Sequence, residues 1–543
     1  MVHERTQMTD VLMGLLKKVA KKRKNLKMVI SSATMDAEFL RDFFDLSDKK
    51  EKERSTSVIL SMQGRTHPID VFYSEEPVAD YVKATVDTVI KIHENEPLGN
   101  VLAFLTSQEE IHTALELLNP YIQDNNTTNK HRTHFPSGIT RHNLEAVPLY
   151  GSLPHYKQAA ACGSVQAGVR RVILATNVAE TALTIPHVCY VVDSGFHKLP
   201  YFDPSLGVES VCVTPISHNN AIQRAGRAGR TSRGKCYRLY TEAEYDKLPE
   251  SVPPEMCRSD LSSVLLLLKA LGIHNLLKFT FPTPPPAKSL LAGLETLYAL
   301  KAIDKHGDLT QDVGVYMAEM PLKPMCAKML CNSGEYGCID EALSIAAMLQ
   351  VDSVFIKSSS GKENIAAKTA RRNNFEVAEG DIIMYLNIID SYIKLKSSHT
   401  DEKRSKKACK DWCHKMYLNY RVLEKAYEIR SSLEKLIKNK FKMENKTFEG
   451  PDLGTGKCIR VMKCVLSGMF PQASFLSPEG FYRGIRGAEL HISPDSCLYH
   501  VQQPKWLVFA SVQATGDKTY MRELMTIDKN WLLEIAPHYY KET

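Results

Sequence analysis

The stretch RRVILATNVAETALTIP (170–186) decides the fold, because an apolar, β-branched run is followed at once by a polar cluster and a proline. Similar apolar runs recur between residues 96 and 242, separated by helical or loop stretches: NVLAFLT (100–106), AVPLY (146–150) and HVCYVVD (187–193). This rhythm predicts a parallel sheet covered by helices, and hence an α/β domain. The polar insert DNNTTNKHRTHFPSG (124–138) is predicted to be a surface loop.

Polar residues directly follow three of the predicted strands. SAT (32–34) follows KMVIS (27–31), the polar part of FLTSQEEI (104–111) follows a second strand, and ATNVAETALTIP (175–186) completes a third. In open α/β sheets, ligands bind outside the carboxyl ends of the strands. The three clusters therefore predict a ligand site along one edge of the sheet.

The stretch QRAGRAGR (223–230) carries the strongest chemical signal. Arg227 and Arg230 lie three residues apart with glycine between them, so both guanidinium groups can reach a polyphosphate without crowding. An arginine-glycine tail that binds RNA loosely has the same composition. That alternative is disfavoured here, because predicted strands lie on both sides, VESVCVT (208–214) and KCYRLY (235–240).

Helical periodicity replaces the strand pattern after about residue 255. DLSSVLLLLKALGI (260–273) and AKSLLAGLETLYALKAI (287–303) predict helices, and a further helical region runs to about 445. The charged stretch SSHTDEKRSKK (397–407) is predicted to be a linker within it. From 458 onward, short runs bounded by glycine and proline predict strands of a small barrel.

The chain has 543 residues, enough for roughly three to five domains. Its 43% hydrophobic and 24% charged residues are ordinary for a globular protein. No apolar run approaches the roughly 20 residues needed to cross a bilayer, and the start of the chain lacks the features of a secretory signal. The net charge of +7 allows an anionic partner without requiring one.

Thirteen cysteines without framework spacing indicate a reduced cytosolic or nuclear compartment. Cys409, Cys413 and His414 could be read as zinc ligands, but no second ligand pair follows at zinc-finger spacing, so we predict no metal site. The basic residues between 17 and 24 could be a nuclear signal. They also suit the end of a helix beginning near Thr9, and we favour that interpretation.

These motifs, in this order, make the sequence similar to the DEAH-box RNA helicases of superfamily 2. The resemblance is carried by SAT, FLTSQEEI, YGSLPHYKQ (150–158), ATNVAETALTI and QRAGRAGR, and it covers essentially the whole chain. The stretch VVDSGFHKLPYFDPSLGVESVCVTPIS (191–217) is similar to the β-hairpin with which this family separates strands. Residues 467–499 resemble its oligonucleotide-binding barrel.

The resemblance implies a multidomain α/β fold. A complete second RecA-like lobe and a partial first lobe would precede a winged helix, a helical ratchet and a C-terminal OB-like β barrel. The implied bounds are 1–62 for the remnant of RecA-like domain 1, 68–245 for RecA-like domain 2, 255–330 for the winged helix, 331–450 for the ratchet and 455–543 for the OB-fold.

The resemblance also implies ATP with Mg²⁺ as the cofactor. Gln223 is then expected to hold the attacking water, and Arg227 and Arg230 to contact the phosphates. His3 is the remaining member of the DEAH motif. The residues expected to couple hydrolysis to domain movement are Ser32, Ala33 and Thr34. Those expected to lie near the RNA backbone, or to relay its occupancy to the ATP site, are Thr106, Asn177, Thr181 and Thr184.

The chain departs from the family pattern in three places. Aligned on HER (3–5), the two acidic positions of the DEAH motif fall one residue before the chain and at Met1. No stretch fits the phosphate loop G-x-x-x-x-G-K-[ST], and the best partial match, 451–458, has Cys458 in place of the hydroxyl. Cys162 stands where the family has an aromatic residue that stacks on adenine. We therefore expect the chain as written not to hydrolyse ATP alone.

Three functions remain open. The first is an ATP-dependent RNA helicase whose N-terminal part is missing from this sequence, and the arginine pair favours it. The second is a short form that binds RNA or a partner without hydrolysis, and the third is a ribonucleoprotein scaffold. The family further implies 3′ to 5′ translocation on RNA, a role in pre-mRNA splicing, glycine-patch activators and spliceosomal ribonucleoprotein as partners, no membrane, and a nuclear rather than cytoplasmic location.

Overall fold

The computed structural model divides the chain into two compact units. The first comprises residues 1–5, 15–199 and 212–254, and the second comprises 6–14, 200–211 and 255–543. The residues described are 4–23, 25–32, 37–47, 55–61, 67–128, 142–151, 153, 155–181, 185–230, 232–356, 361–399, 401–445, 456–515 and 518–541. Among them, no helix is both long and apolar enough to pass through a membrane.

In the described part of the chain before residue 254, there are eight strands and eight α-helices. The strands are β1 (Ile69–Tyr73), β2 (Asn100–Phe104), β3 (Asn143–Leu149), β4 (Val169–Ala175), β5 (Val188–Asp193), β6 (Phe196–Asp203), β7 (Val208–Pro215) and β8 (Gly234–Arg238). The helices are α1 (Gln7–Lys22), α2 (Ala37–Phe44), α3 (Tyr81–Asn95), α4 (Gln108–Thr128), α5 (His155–Ala161), α6 (Val178–Thr181), α7 (His218–Ala225) and α8 (Glu242–Tyr245).

The core of the first unit is a parallel sheet with strand order β1-β8-β5-β2-β4-β3, while β6 and β7 form a separate hairpin. The central strand β2 is buried along its whole length. Its side chains alternate, so that Val101 and Ala103 belong to the apolar cluster on one face, and Leu102 and Phe104 to the cluster on the other. Burial on both faces explains why its sequence is continuously apolar.

The strand predicted at residues 27–31 does not form, and that prediction is wrong. These residues adopt no strand, and the side chain of Val29 is 96% exposed. A strand is stable only when a neighbour pairs with its backbone. All strands of the described sheet come from residues 69–238, and none of them pairs with this segment.

The insert predicted as a surface loop is helical in its first part, because α4 continues to Thr128. Asn126 explains the extension: its side-chain amide donates to Leu144 O at 3.0 Å and accepts from Leu144 N at 3.0 Å. The side chain thus satisfies backbone groups of the edge strand β3. The loop prediction is wrong for 124–128, and 129–138 lie outside the described residues.

The second unit contains the remaining helices and strands. The helices are α9 (Glu255–Arg258), α10 (Ser262–Ala270), α11 (Ala287–Ala299), α12 (Gly314–Glu319), α13 (Pro324–Asn332), α14 (Ile339–Met348), α15 (Gly361–Asn374), α16 (Asp381–Ser397), α17 (Glu402–Lys415), α18 (Tyr420–Leu436), α19 (Lys457–Met469) and α20 (Lys529–Ile535). The strands are β9 (Ala473–Leu476), β10 (Tyr482–Gly484), β11 (Glu489–Ile492), β12 (Trp506–Thr515) and β13 (Lys518–Thr526).

The last five strands close into a barrel in the order β10-β11-β13-β12-β9. They begin at residue 473 rather than 458, because 457–469 form α19. The barrel shares one apolar core with α16 and α18. Asp381, the buried first residue of α16, connects this helix to the barrel. Its carboxylate accepts from Cys497 N at 2.9 Å and from Leu524 N at 3.2 Å. Helices and barrel therefore pack as one body.

The linker predicted at 397–407 is mostly helix, and that prediction is wrong. Helix α16 ends at Ser397, and α17 begins at Glu402. Asp401 caps α17 by accepting from Lys403 N at 3.0 Å. Ser405 is buried and donates to Lys396 O at 2.9 Å. The charged residues cover the solvent side of a helix whose other side is buried.

We expect purified protein to contain no stoichiometric zinc, although Cys409, Cys413 and His414 are close in sequence. Both thiols lie in the apolar core, whereas His414 is exposed. Burial, with Cys409 and Glu424 nearby, raises the pKa of Cys413 to about 12, and a metal needs the thiolate. Elemental analysis of the purified protein measures its zinc content.

Cys413→Ser should lower the unfolding free energy by about 1–3 kcal/mol, because it buries a hydroxyl among apolar side chains.

Candidate active site

The carboxyl ends of β2 and β4 meet at one edge of the sheet. Phe104 and Ala175 are in register, and Leu105 N donates to Ala175 O at 2.8 Å. The segment that begins with Thr106 and the segment that begins with Asn177 therefore leave the sheet side by side. The structure thus brings two of the predicted clusters together at the expected edge.

The motif QRAGRAGR covers the end of α7 and the turn after it. Gln223 lies half-buried on α7, Arg227 is 6% exposed and Arg230 is exposed. Gly229 lets the turn approach the start of the sheet: His67 N donates to Gly229 O at 2.8 Å. A Cβ atom on Gly229 would lie 2.7 Å from His67 O. Glycine at this position is therefore a packing requirement.

A third arginine of the motif, Arg224, is fully buried and holds the site together. Its Nε donates to Glu180 Oε1 at 2.8 Å, and its Nη1 donates to Asp193 Oδ1 at 2.7 Å. Its guanidinium also lies over the Phe104 ring, 4.8 Å from the centroid. Tyr240 donates its hydroxyl to the second oxygen of Asp193 at 3.0 Å. These contacts tie α6, β5 and α7 together.

The electrostatics of the two buried arginines differ. Burial opposes the charge of Arg224, but Glu180 and Asp193 outweigh it and raise the pKa of that guanidinium. Burial and the neighbouring Arg230 instead lower the pKa of Arg227 to about 10, with Glu180 opposing them. Arg227 is thus a poorly hydrated cation beside the exposed Arg230, and an anionic ligand that contacts both is stabilised.

The other predicted site residues differ in their burial and in whether the structure describes them. Thr106 is buried and its hydroxyl donates to Glu110 Oε1 at 2.8 Å. Asn177 is exposed at the start of α6, and Ser32 is exposed. The backbone of Thr181 lies in α6, but its side chain is outside the described part of the chain. Four predicted residues lie wholly outside the described part of the chain: His3, Ala33, Thr34 and Thr184.

Sequence reasoning did not single out Arg224, Glu180, Asp193 or Tyr240. The available signal was Asp193, a carboxylate at the end of the apolar strand β5. It was not enough, because Arg224 pairs with carboxylates that lie 44 and 31 residues earlier in the chain. No sequence spacing shows that these groups meet.

Cys162 lies half-buried just after α5 and packs against the apolar cluster that contains Phe104. Burial raises the pKa of its thiol. Arg171 holds this turn by donating to Ala160 O and Gly163 O, both at 3.0 Å. The position predicted to face adenine is therefore an ordered, apolar one that lacks a ring.

The second unit has a cavity of about 390 Å³ between its helices and the barrel. Phe355 and Tyr385 supply aromatic walls. The charged lining residues are three cations and three carboxylates: Lys368, Arg371, Arg522, Asp381, Asp495 and Glu523. Two lining residues have left-handed backbones, Tyr417 with φ +55° and Glu523 with φ +51°. Such strained positions concentrate at functional sites. Sequence analysis missed this cavity, because its walls come from segments far apart in the chain.

Four family models match the chain. They are the helicase conserved C-terminal domain at 84–232, the winged-helix and ratchet-like parts of the helicase-associated domain at 293–322 and 323–385, and an oligonucleotide/oligosaccharide-binding fold at 461–539. The predicted fold class is confirmed: a RecA-like parallel lobe, a winged helix, a ratchet and an OB-like barrel define a multidomain helicase. The exact domain bounds stay predictions.

Relatives match nearly the whole chain. The human protein named probable ATP-dependent RNA helicase DHX35 is 46% identical over 99% of this chain and 72% of its own length. The protein of the same name from Pongo abelii is 45% identical over 99% and 71%. A Caenorhabditis elegans homologue is 38% identical over 99% and 69%. The chain belongs to the DEAH-box RNA helicases, as its motifs predicted, and it is by family a helicase enzyme that acts on RNA.

Proposed function

We propose that this protein couples ATP hydrolysis to 3′ to 5′ movement along RNA and thereby remodels RNA or ribonucleoprotein. The observation that carries the proposal is the arginine pair. Arg227 is almost completely buried beside Arg230, and Arg224 fixes the end of α7, directly before the turn that carries both. A second lobe that approaches a nucleotide needs such pre-positioned cations, because they stabilise the charge that develops during phosphoryl transfer.

The proposed cofactor is ATP with Mg²⁺, because the relatives are named ATP-dependent. The two close cations of the arginine pair fit a polyphosphate. ATP would supply the phosphoryl group, Arg227 and Arg230 would hold its phosphates, and Gln223 would orient the attacking water. Among the residues that the structure describes, no group of three or more His, Cys, Asp or Glu side chains could hold a metal ion, so they assign no ligand to Mg²⁺.

The RNA contacts are proposed along the edge of the sheet and in the second unit. Asn177 is exposed and able to donate to a phosphate, and Thr181 and Thr184 follow it. Ser32, Ala33 and Thr34 are proposed to couple hydrolysis to movement. Thr106 differs, because its hydroxyl already donates to Glu110. A role in relaying RNA occupancy suits Thr106 better than direct phosphate contact.

The cavity of the second unit is proposed as a further contact for RNA. Aromatic rings such as those of Phe355 and Tyr385 stack on bases without regard to sequence. We also propose a nuclear location, a role in pre-mRNA splicing, and regulation by glycine-patch proteins. These three proposals are supported by the family alone. Co-purification of splicing factors from nuclear extract with the tagged protein would test them.

The polarity of unwinding tests the proposed function. We expect the protein, purified at its natural length, to separate an RNA duplex with a 3′ single-stranded overhang much faster than the same duplex with a 5′ overhang, because loading on the tracking strand precedes movement. ATP should support the reaction, and a non-hydrolysable analogue should not. Equal rates on both duplexes, or unwinding with the analogue, would contradict the proposal.

A further inference from the structure

The hairpin of β6 and β7 leaves the sheet at a tightly fixed point. Gly195, between β5 and β6, has φ +82°, a left-handed backbone that glycine adopts without strain. A Cβ atom there would lie 2.6 Å from the Tyr240 ring, so no side chain fits. Ile216 N donates to Gly195 O at 3.0 Å and closes the base of the hairpin.

Phe196, the first residue of β6, is held from two sides. Its carbonyl accepts from Arg224 Nη2 at 3.1 Å. Its ring stacks on the ring of Tyr81, with centroids 5.2 Å apart and planes at 29°. Arg224 belongs to the arginine motif, and Tyr81 is the first residue of α3. One contact therefore ties the hairpin base to the candidate active site, and the other ties it to the helical layer of the lobe.

Tyr81 is itself fixed by the cluster at the end of β2. Its hydroxyl donates to Glu110 Oε1 at 2.7 Å. The same carboxylate accepts from Thr106 N at 2.9 Å and from the Thr106 hydroxyl at 2.8 Å. Burial, together with Glu110, raises the pKa of Tyr81 to about 12, as expected for a phenol that donates to a carboxylate. The ring beneath Phe196 is thus held in one orientation.

We propose that Tyr81 is a positioning residue for strand separation, which holds the base of the hairpin rigid against the lobe. The inference rests on the proposed function. The hairpin is taken to be the strand separator that the family resemblance implies, and a rigid base passes each movement of the lobe to β6 and β7. A hairpin with a loose base absorbs part of that movement. The loss of Tyr81 should therefore waste ATP rather than stop its hydrolysis.

The test measures ATP hydrolysed and duplex unwound in the same reaction, with natural-length protein and a 3′-overhang RNA duplex. We expect Tyr81→Ala to need roughly threefold to tenfold more ATP per duplex, the range that the loss of one aromatic pair predicts. RNA-stimulated ATP turnover should stay within about twofold of the unmodified protein. Tyr81→Phe keeps the stack but loses the hydrogen bond to Glu110, so its ATP use per duplex should fall between that of the unmodified protein and that of Tyr81→Ala.

Phe72→Ala is the matched control. Phe72 stacks on Tyr237 at 5.3 Å and 18° in the same unit, but this pair lies on β1 and β8, away from the hairpin base. Phe72→Ala should therefore leave the ATP used per duplex unchanged. Phe196→Leu removes the stack from the hairpin side while keeping apolar bulk, and it should reproduce the effect of Tyr81→Ala even if that variant folds poorly.

The inference is overturned if Phe196→Leu unwinds with normal coupling. It is also overturned if this variant loses unwinding and ATP turnover in equal proportion, which is the mark of a general structural defect. Failure of the proposed function has a different signature: the unmodified protein would show no ATP-driven unwinding at all. The two failures are therefore distinguishable in one assay.

Discussion

Arg227→Ala should reduce RNA-stimulated ATP turnover by about a thousandfold or more, the range found when an arginine that stabilises a transferring phosphoryl group is removed. Arg227 is 6% exposed, and water replaces little of its interaction with a phosphate. Its charge is also held at a cost, since burial and Arg230 lower its pKa to about 10. Steady-state ATP hydrolysis by the natural-length protein at saturating RNA measures the effect.

Two further variants separate catalysis from charge alone. Arg227→Lys keeps a cation but loses the planar fork, and it should recover only part of the lost turnover. Arg233→Ala removes a nearby arginine whose side chain is 71% exposed and pairs with Asp70 at 3.1 Å. That variant should hydrolyse ATP at close to the normal rate. Turnover by Arg227→Ala that matches Arg233→Ala would exclude Arg227 from the reaction.

The order of the helices and strands was predictable, because the spacing of apolar residues and the positions of turn residues can be read from short stretches of sequence. The runs that became β2, β4 and β5 are buried on both faces, and their continuous apolar sequence shows it. Strand β1, with the sequence IDVFY, was missed. It lies at the edge of the sheet, and its residues are half-buried or exposed, so its sequence resembles that of many loops.

Local composition was misleading where a side chain far along the chain decides the structure. The insert at 124–128 is polar, yet it is helical because Asn126 bonds the backbone of Leu144. The stretch at 402–407 is rich in lysine and was read as a linker. Only the buried Ser405, and Cys409 one helical turn later, reveal the helix. In both places a few contacts outweigh the majority of the residues.

The candidate site also depends on contacts between residues far apart in the chain, which the sequence does not reveal. Sequence placed Gln223, Arg227 and Arg230 in a recognisable motif, and placed Asn177 after a strand of the same sheet. It could not assign Arg224, because the ion pairs that define its role join residues from α6, β5 and α7. Only the folded sheet brings these elements together. The contacts that support the candidate site were therefore hidden from the sequence, and the roles of Gln223, Arg227 and Arg230 stay predictions.

Arg224→Met should destabilise the RecA-like lobe by about 3–5 kcal/mol, the usual cost of removing one partner from a buried ion pair. Glu180 and Asp193 are 5% and 0% exposed, and each would keep a buried charge without its cation. Because a multidomain chain does not unfold in a single step, hydrogen exchange of β4, β5 and β8 in increasing urea measures this lobe alone.

A triple variant tests why Arg224→Met loses stability, separately from how much stability it loses. If unpaired charge is the cause, then adding Glu180→Gln and Asp193→Asn to Arg224→Met should restore most of the stability, since all three buried charges are then gone. Arg233→Ala breaks an exposed ion pair and should cost less than about 1 kcal/mol. A triple variant as unstable as Arg224→Met would show that packing of the guanidinium on Phe104, 4.8 Å away, matters more than its charge.

Even if the triple variant regains stability, it should remain slow in ATP hydrolysis, because neutral side chains no longer fix the helix that carries Gln223. Stability and activity would then separate, which is the result expected if Arg224 both holds the fold and positions the site.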